Sequence, residues 1–175
     1  KKITFFDAPI SGGEAGAING TLSVMLGGGN KNSLIVRKLL KTFAKNIVHV
    51  GPNGHGQLTK MVNQICIAGL LQGLSEALSF GSQKKLDMNK VLDAISQGAA
   101  QSWQMENRAV TMLNNKFNFG FAVDLMIKDL KIALIEANNL GLRLDVTKDV
   151  LKKYEKLSHK GHGSLDTSSL IKLLK

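Results

Sequence analysis

Gly51-Pro52-Asn53-Gly54-His55-Gly56, running straight into Gln57-Leu58-Thr59-Lys60-Met61-Val62-Asn63-Gln64, is where the pattern of the chain changes. Beyond it, apolar residues recur at Leu58, Met61, Val62, Ile65, Ala68, Leu71, Leu74 and Leu78, with others on the remaining faces. That spacing predicts a helix over residues 57–84, buried on most sides, of the kind that forms the spine of a bundle. Further helices are expected at 88–97 behind an Asp87 cap, at 101–113, at 122–140 ended by Gly141, at 146–159 before Gly161, and at 167–174 behind Asp166. Upstream of the glycine turn the texture differs. Short β-type runs occur at 3–6, 21–26 and 47–50, with one helix over 34–43 that Asn32 can cap. The expected fold class is mainly α: a bundle of about six helices on a long spine, preceded by a small α/β piece that cannot cover its own sheet.

The 175 residues are 43% hydrophobic, enough for one good core or two small ones. The longest apolar stretch, 65–71, contains Gly69 and meets Gln72, so no uninterrupted run reaches the 18 or so residues of a spanning helix, and a membrane partner is not expected. A signal-peptide pattern is not seen at the start, and a lone cysteine, Cys66, excludes a disulfide within the chain. A reducing, cytoplasmic setting is the simplest expectation. The net charge of +10 raises the question of acidic partners. Residues 1–53 and the remainder each carry +5, so there is no basic tail, and 5% aromatics is thin for base stacking; nucleic acid is not expected.

Two glycine-rich segments could carry chemistry. In Asp7-Ala8-Pro9-Ile10-Ser11-Gly12-Gly13-Glu14-Ala15-Gly16 a strand leads into a hydroxyl and two bare backbone amides, which could cradle a carboxylate or phosphate or could be a tight loop. The pattern is neither a P-loop nor G-x-G-x-x-G. In the second segment Lys60, Asn63 and Gln64 share one face of a core helix, which suits a cleft lining but also suits a lysine that reaches solvent. Asp124 and Lys128 have the i,i+4 spacing of an exposed ion pair. Cys66 reads as small buried filler, and the four histidines have no companions at metal-ligand spacing, so no metal is expected.

The order of these segments resembles the β-hydroxyacid dehydrogenase family, which includes 3-hydroxyisobutyrate dehydrogenase and tartronate semialdehyde reductase. The residues that carry the resemblance are Asp7-Ala8-Pro9-Ile10-Ser11-Gly12-Gly13 with Gly20-Thr21-Leu22, then Met25-Leu26-Gly27-Gly28, Gly54-x-Gly56-x-x-x-Lys60-x-x-Asn63, Lys128-Asp129-Leu130 and Gly163-x-x-Asp166-x-Ser168. It implies NAD or NADP as cofactor, a small β-hydroxyacid as substrate and a homodimer or higher oligomer. It implies Lys60 as the catalytic lysine, Ser11, Gly12, Gly13, Asn63 and Gln64 on the substrate, and Lys128, with Asp129 and Phe121, on the cofactor. Residues 1–53 would be the end of a Rossmann-type dinucleotide-binding domain and 54–175 the helical catalytic and dimerisation domain. The rest of the Rossmann domain is expected upstream of Lys1, so the chain reads as the C-terminal portion of such an enzyme, inactive alone. Gln64 stands where many members have a second Asn. The competing readings are a non-catalytic module that binds an acidic partner, and a portion of phosphogluconate dehydrogenase. Lys60 favours the enzyme, and the latter group places His before Asn after its lysine.

Overall fold

The computed structural model describes residues 3–29 and 33–174, in two compact units, Lys1–Asn63 and Gln64–Lys175. The division falls inside the long helix. Asn32, the expected cap of the second helix, lies outside the described residues.

In the first unit β3 (Leu22–Gly28) is the centre of a mixed four-stranded sheet. Its one edge takes β1 (Phe6–Asp7) and β2 (Ile10–Ser11), both antiparallel, in a single register interrupted at Ala8-Pro9. Proline cannot donate to a ladder, although its carbonyl accepts from the Met25 amide at 3.0 Å. The other edge takes β4 (Ala44–Gly51) in parallel, reached through α2 (Ser33–Leu40). Leu22, Val24, Leu26, Ala44 and Ile47 form the core, with Val36 and Leu40 of α2 packed on it. The structure adds β2 and a six-residue helix, α1 (Gly13–Ile18), where sequence suggested a plain loop. Two glycines in six residues hide the helical propensity; a Cβ on one of them, Gly16, would lie 3.0 Å from a Leu22 methyl.

Asp7 ties this sheet to the start of α3 (His55–Gln83). Its side chain is 6% exposed, and its carboxylate accepts from the Gly54 amide at 2.7 Å and the Gln57 amide at 2.9 Å. Those are groups a helix leaves unpaired at its first turn. The fit is tight. A Cβ on Gly56 would run into the Met25 carbonyl and lie 2.7 Å from Asp7 Oδ2. Burial alone would raise the Asp7 pKa, but backbone amides of Gly54, Gln57, Asp7 itself and Gly56 together outweigh it and hold the carboxyl below its ordinary 3.8.

The second unit contains the rest of α3 with α4 (Met88–Ile95), α5 (Trp103–Leu113), α6 (Val123–Asn139), α7 (Asp145–Leu157), a π-helical turn at Ser158–His162 and a 3-10 helix at Thr167–Leu173. Asp87 and Ser102 cap α4 and α5, accepting from the amides of Asn89 and Lys90 and of Met105 respectively. Gly141, with φ of 67°, follows α6 in a left-handed turn. One core cluster joins Ala68 and Leu71 of α3 to Leu130, Tyr154, Leu157 and Leu170; a second joins Leu74 and Leu78 to Met105, Met112, Phe117 and Ile171. Neighbouring residues of the 3-10 helix thus serve both. Each fully buried leucine in them contributes about 1.5–3 kcal/mol.

Three expectations change. Over an 18-residue window α3 averages a hydropathy of 1.2, long and apolar enough by composition to span a membrane, because averaging tolerates the glycines and glutamines that break its runs. In this fold Ala68, Leu71, Leu74 and Leu78 supply the two cores while Val62, Leu70 and Phe80 are exposed, so the helix is buried along one face and not, as its spacing predicts, on most sides. Cys66 is exposed, on the α3 face that also carries Val62 and Leu70, opposite the face of Gln64, Ala68, Leu71 and Ser75.

Asp166 is the polar centre of this unit. Its side chain is 2% exposed and takes Arg108 Nε at 3.2 Å, the Phe121 amide at 2.9 Å and the Ser168 amide at 3.0 Å. Arg108 also lies over the rings of Trp103 and Phe119, at 4.9 and 5.0 Å. Beside it, burial and then the Asp166 charge push the Tyr154 pKa well above 10.0, against a smaller lowering by the Thr167 side chain.

Two measurements test these anchors. Arg108→Ala strands a buried carboxylate and is expected to destabilise the second unit by about 3 kcal/mol in urea unfolding. An unchanged midpoint would show the pair to be unimportant. For Asp7 the native pKa lies below the unfolded one, so its stabilisation is complete well above pH 3.8 and fades as acidity passes through the lowered native value. Asp7→Asn should therefore flatten the acid limb of the stability profile; identical limbs in the two proteins would contradict the anchor.

Candidate functional site

In the first unit the residues around the Ser11 bend and Lys60 come together. Lys60 lies in the second turn of α3 and is half-buried, and its Nζ donates to the Ile10 carbonyl at 2.9 Å. The ammonium therefore stands against the backbone immediately before Ser11-Gly12-Gly13. It does not reach freely into solvent. Gly12 and Gly13 have φ of 130° and 60°, conformations that side chains rarely adopt, and both are exposed. No atom lies within 4 Å of where a Cβ on Gly13 would be, so the approach to this bend is open. Asn63 is three residues beyond Lys60 on α3, on the same side of the helix, and is half-buried.

In the second unit Gln64, Lys128 and Asp129 come together. Gln64 is 2% exposed, and its Nε2 donates to Asp129 Oδ2 at 2.6 Å, with Met126 Sδ at 3.8 Å. Lys128 Nζ pairs with Asp129 Oδ1 at 2.6 Å, and its side chain is 61% exposed. The i,i+4 pair suggested by spacing does not form. Asp124 instead accepts from the Ser158 hydroxyl at 2.6 Å, across to the end of α7, while Lys128 turns to its neighbour. Phe121, half-buried, is fixed at its amide by Asp166. Among the described residues no group of three or more His, Cys, Asp or Glu could hold a metal ion.

An exposed ammonium at Lys128 and a ring at Phe121 suit a dinucleotide with an aromatic head and anionic linkage. That donor set fits a nicotinamide cofactor, although the chain has no G-x-G-x-x-G of its own for the pyrophosphate. Sequence reasoning missed Asp7, Arg108 and the anchoring work of Asp166. The signal for Asp7 was present, an acid directly at the end of a β-type run, where burial requires that it be paired.

Comparison with known proteins bears on the same segments. The family described as NAD-binding of NADP-dependent 3-hydroxyisobutyrate dehydrogenase matches residues 54–174, and the NAD binding domain of 6-phosphogluconate dehydrogenase matches residues 1–51. An uncharacterized oxidoreductase of Shewanella frigidimarina is 50% identical over 97% of this chain and 58% of its own length. The 2-hydroxy-3-oxopropionate reductase of Escherichia coli is 39% identical over 97% of the chain and 58% of its own. Among solved structures, Mycobacterium tuberculosis 3-hydroxyisobutyrate dehydrogenase with L-serine superposes with a TM-score of 0.89 at 29% identity, covering 97% of this chain and 60% of that one. The chain therefore spans about three fifths of the relatives it matches. Both family descriptions name the cofactor class, NAD or NADP, that the resemblance implies. With its mainly helical fold, its Ser11–Gly13 bend and Lys60, this chain belongs to the β-hydroxyacid dehydrogenase family.

Proposed function

We propose that this chain is the C-terminal portion of an NAD(P)-dependent oxidoreductase that interconverts a small 3-hydroxy acid and its semialdehyde, such as 3-hydroxyisobutyrate or tartronate semialdehyde. The observation that carries the reading is the 2.9 Å bond from Lys60 Nζ to the Ile10 carbonyl, which stations a proton-carrying group beside an open serine–diglycine bend. In the proposal Ser11, Gly12 and Gly13 hold the substrate carboxylate through backbone amides and a hydroxyl, and Asn63 supplies a further amide. Lys60 hands a proton to the carbonyl oxygen in reduction and takes it from the hydroxyl in oxidation. The nicotinamide, when bound, supplies or accepts the hydride at the carbinol carbon. Lys128, Asp129 and Phe121 are assigned to the cofactor. Gln64, expected on the substrate, has its amide nitrogen turned to Asp129.

The domain boundary at 53/54 belongs to the same proposal and is supported by the two family matches, which end at 51 and begin at 54. So does a homodimer or higher oligomer. Apolar side chains stand in solvent on α2, at Leu34, Ile35 and Leu39, and on α3, at Val62, Leu70 and Phe80. A reducing, cytoplasmic compartment is part of it too, since Cys66 is an exposed thiol.

Joined to an upstream dinucleotide-binding domain, the chain is expected to transfer hydride to a β-hydroxyacid semialdehyde, and Lys60→Ala to lower kcat by a factor of about 100 or more with little change in cofactor Kd. Unchanged turnover in that variant would remove Lys60 from the chemistry. The 175-residue chain alone should show no turnover. In light scattering the protein should run as a dimer or larger; a monomer at micromolar concentration would overturn the assembly.

A further inference from the structure

The contact between Gln64 and Asp129 has no part in substrate binding as proposed above. Gln64 is 2% exposed, so its amide is removed from water and must be paired to be tolerated. It is paired to a carboxylate at 2.6 Å, the charge-assisted kind of bond. The two oxygens of Asp129 are divided: Oδ2 takes Gln64 Nε2 and Oδ1 takes Lys128 Nζ, each at 2.6 Å. Adjacent helical residues diverge by about 100° and do not face each other, so Lys128 must bend back to reach its neighbour, and a carboxylate held in a fixed direction favours that bend. Gln64 supplies that direction, from a different helix.

We propose that Gln64 is a positioning residue that orients Lys128 toward the cofactor through Asp129. The proposal rests on the cofactor role given to Lys128 above. Side-chain length is part of it. An asparagine at 64 would withdraw the amide by one carbon–carbon bond, about 1.5 Å, stretching the contact to about 4 Å, beyond hydrogen-bond range.

The first test uses the 175-residue chain and needs no activity. With lysines reductively methylated using ¹³C, the Lys128 signal should move when Gln64 is changed to Asn or Met, and move similarly in Asp129→Asn. A Lys128 signal indifferent to Gln64→Asn and Gln64→Met, in protein whose circular dichroism is unaltered, would overturn the proposal. The second uses the enzyme joined to its dinucleotide-binding domain. Gln64→Asn and Gln64→Met should each raise the cofactor KM about tenfold, as Lys128→Met does, with a much smaller effect on kcat. Gln64→Met combined with Lys128→Met should be no worse than Lys128→Met alone. Multiplicative losses, or a rise confined to the hydroxyacid KM, would overturn it and return Gln64 to the substrate. Absence of hydride transfer in the unmutated enzyme would instead count against the proposed function, and the methyl-lysine signal would still decide whether Gln64 governs Lys128.

Discussion

The Asp7 carboxylate is the constraint on which the first unit depends. It gathers the Gly54 and Gln57 amides at the start of α3 while its own backbone pairs in register with Gly27 of β3. A helix entry and a strand are thereby locked together through two charge-assisted bonds. Lys60 comes a few residues later on the same helix, and Ser11 a few residues beyond Asp7 in β2, which continues the register of β1 along β3. The approach of the Lys60 ammonium to the Ile10 carbonyl is the geometric outcome of that one anchor.

The second unit repeats the device. Asp166 collects Arg108, the Phe121 amide and Ser168 from three separate stretches of chain, and Asp129 collects Gln64 and Lys128. In each case a low-exposure carboxylate offers more acceptor sites than any other side chain, so it can join elements that apolar packing alone would leave free to slide. All three carboxylates fall in stretches that carry the family resemblance, and Asp7 and Asp166 hold backbone amides there. Their backbone partners explain physically why an acid is needed there.

Much of this was legible in the residues. Heptad-like apolar spacing located α3, and local chemistry located its successors: Asp87 caps α4, Gly141 closes α6, and Asp166 opens the last helix. All three are interactions between residues within a few positions of one another. The Ser11-Gly12-Gly13 bend and Lys60 were singled out by residue type, but their approach spans fifty positions, and only the shared resemblance suggested it. What spacing misjudged was direction. Cys66 and Lys128 were read from their neighbours along the helix, whereas burial is decided by what packs across from it, and ion pairing by which carboxylate is already held. Helix α1 is hidden because two of its six residues, Gly13 and Gly16, are glycines, which lower helix propensity.

The packing around Asp7 also limits which acids can stand there. Gly27 and Gly56 each press against the carboxylate so closely that even a methyl on either would collide with it. The niche is thus a gauge of reach as well as of charge. Glutamate, equally anionic but one carbon longer, would have to push two backbones apart to seat its oxygens, so exchanging one acid for the other is not a mild change in this protein.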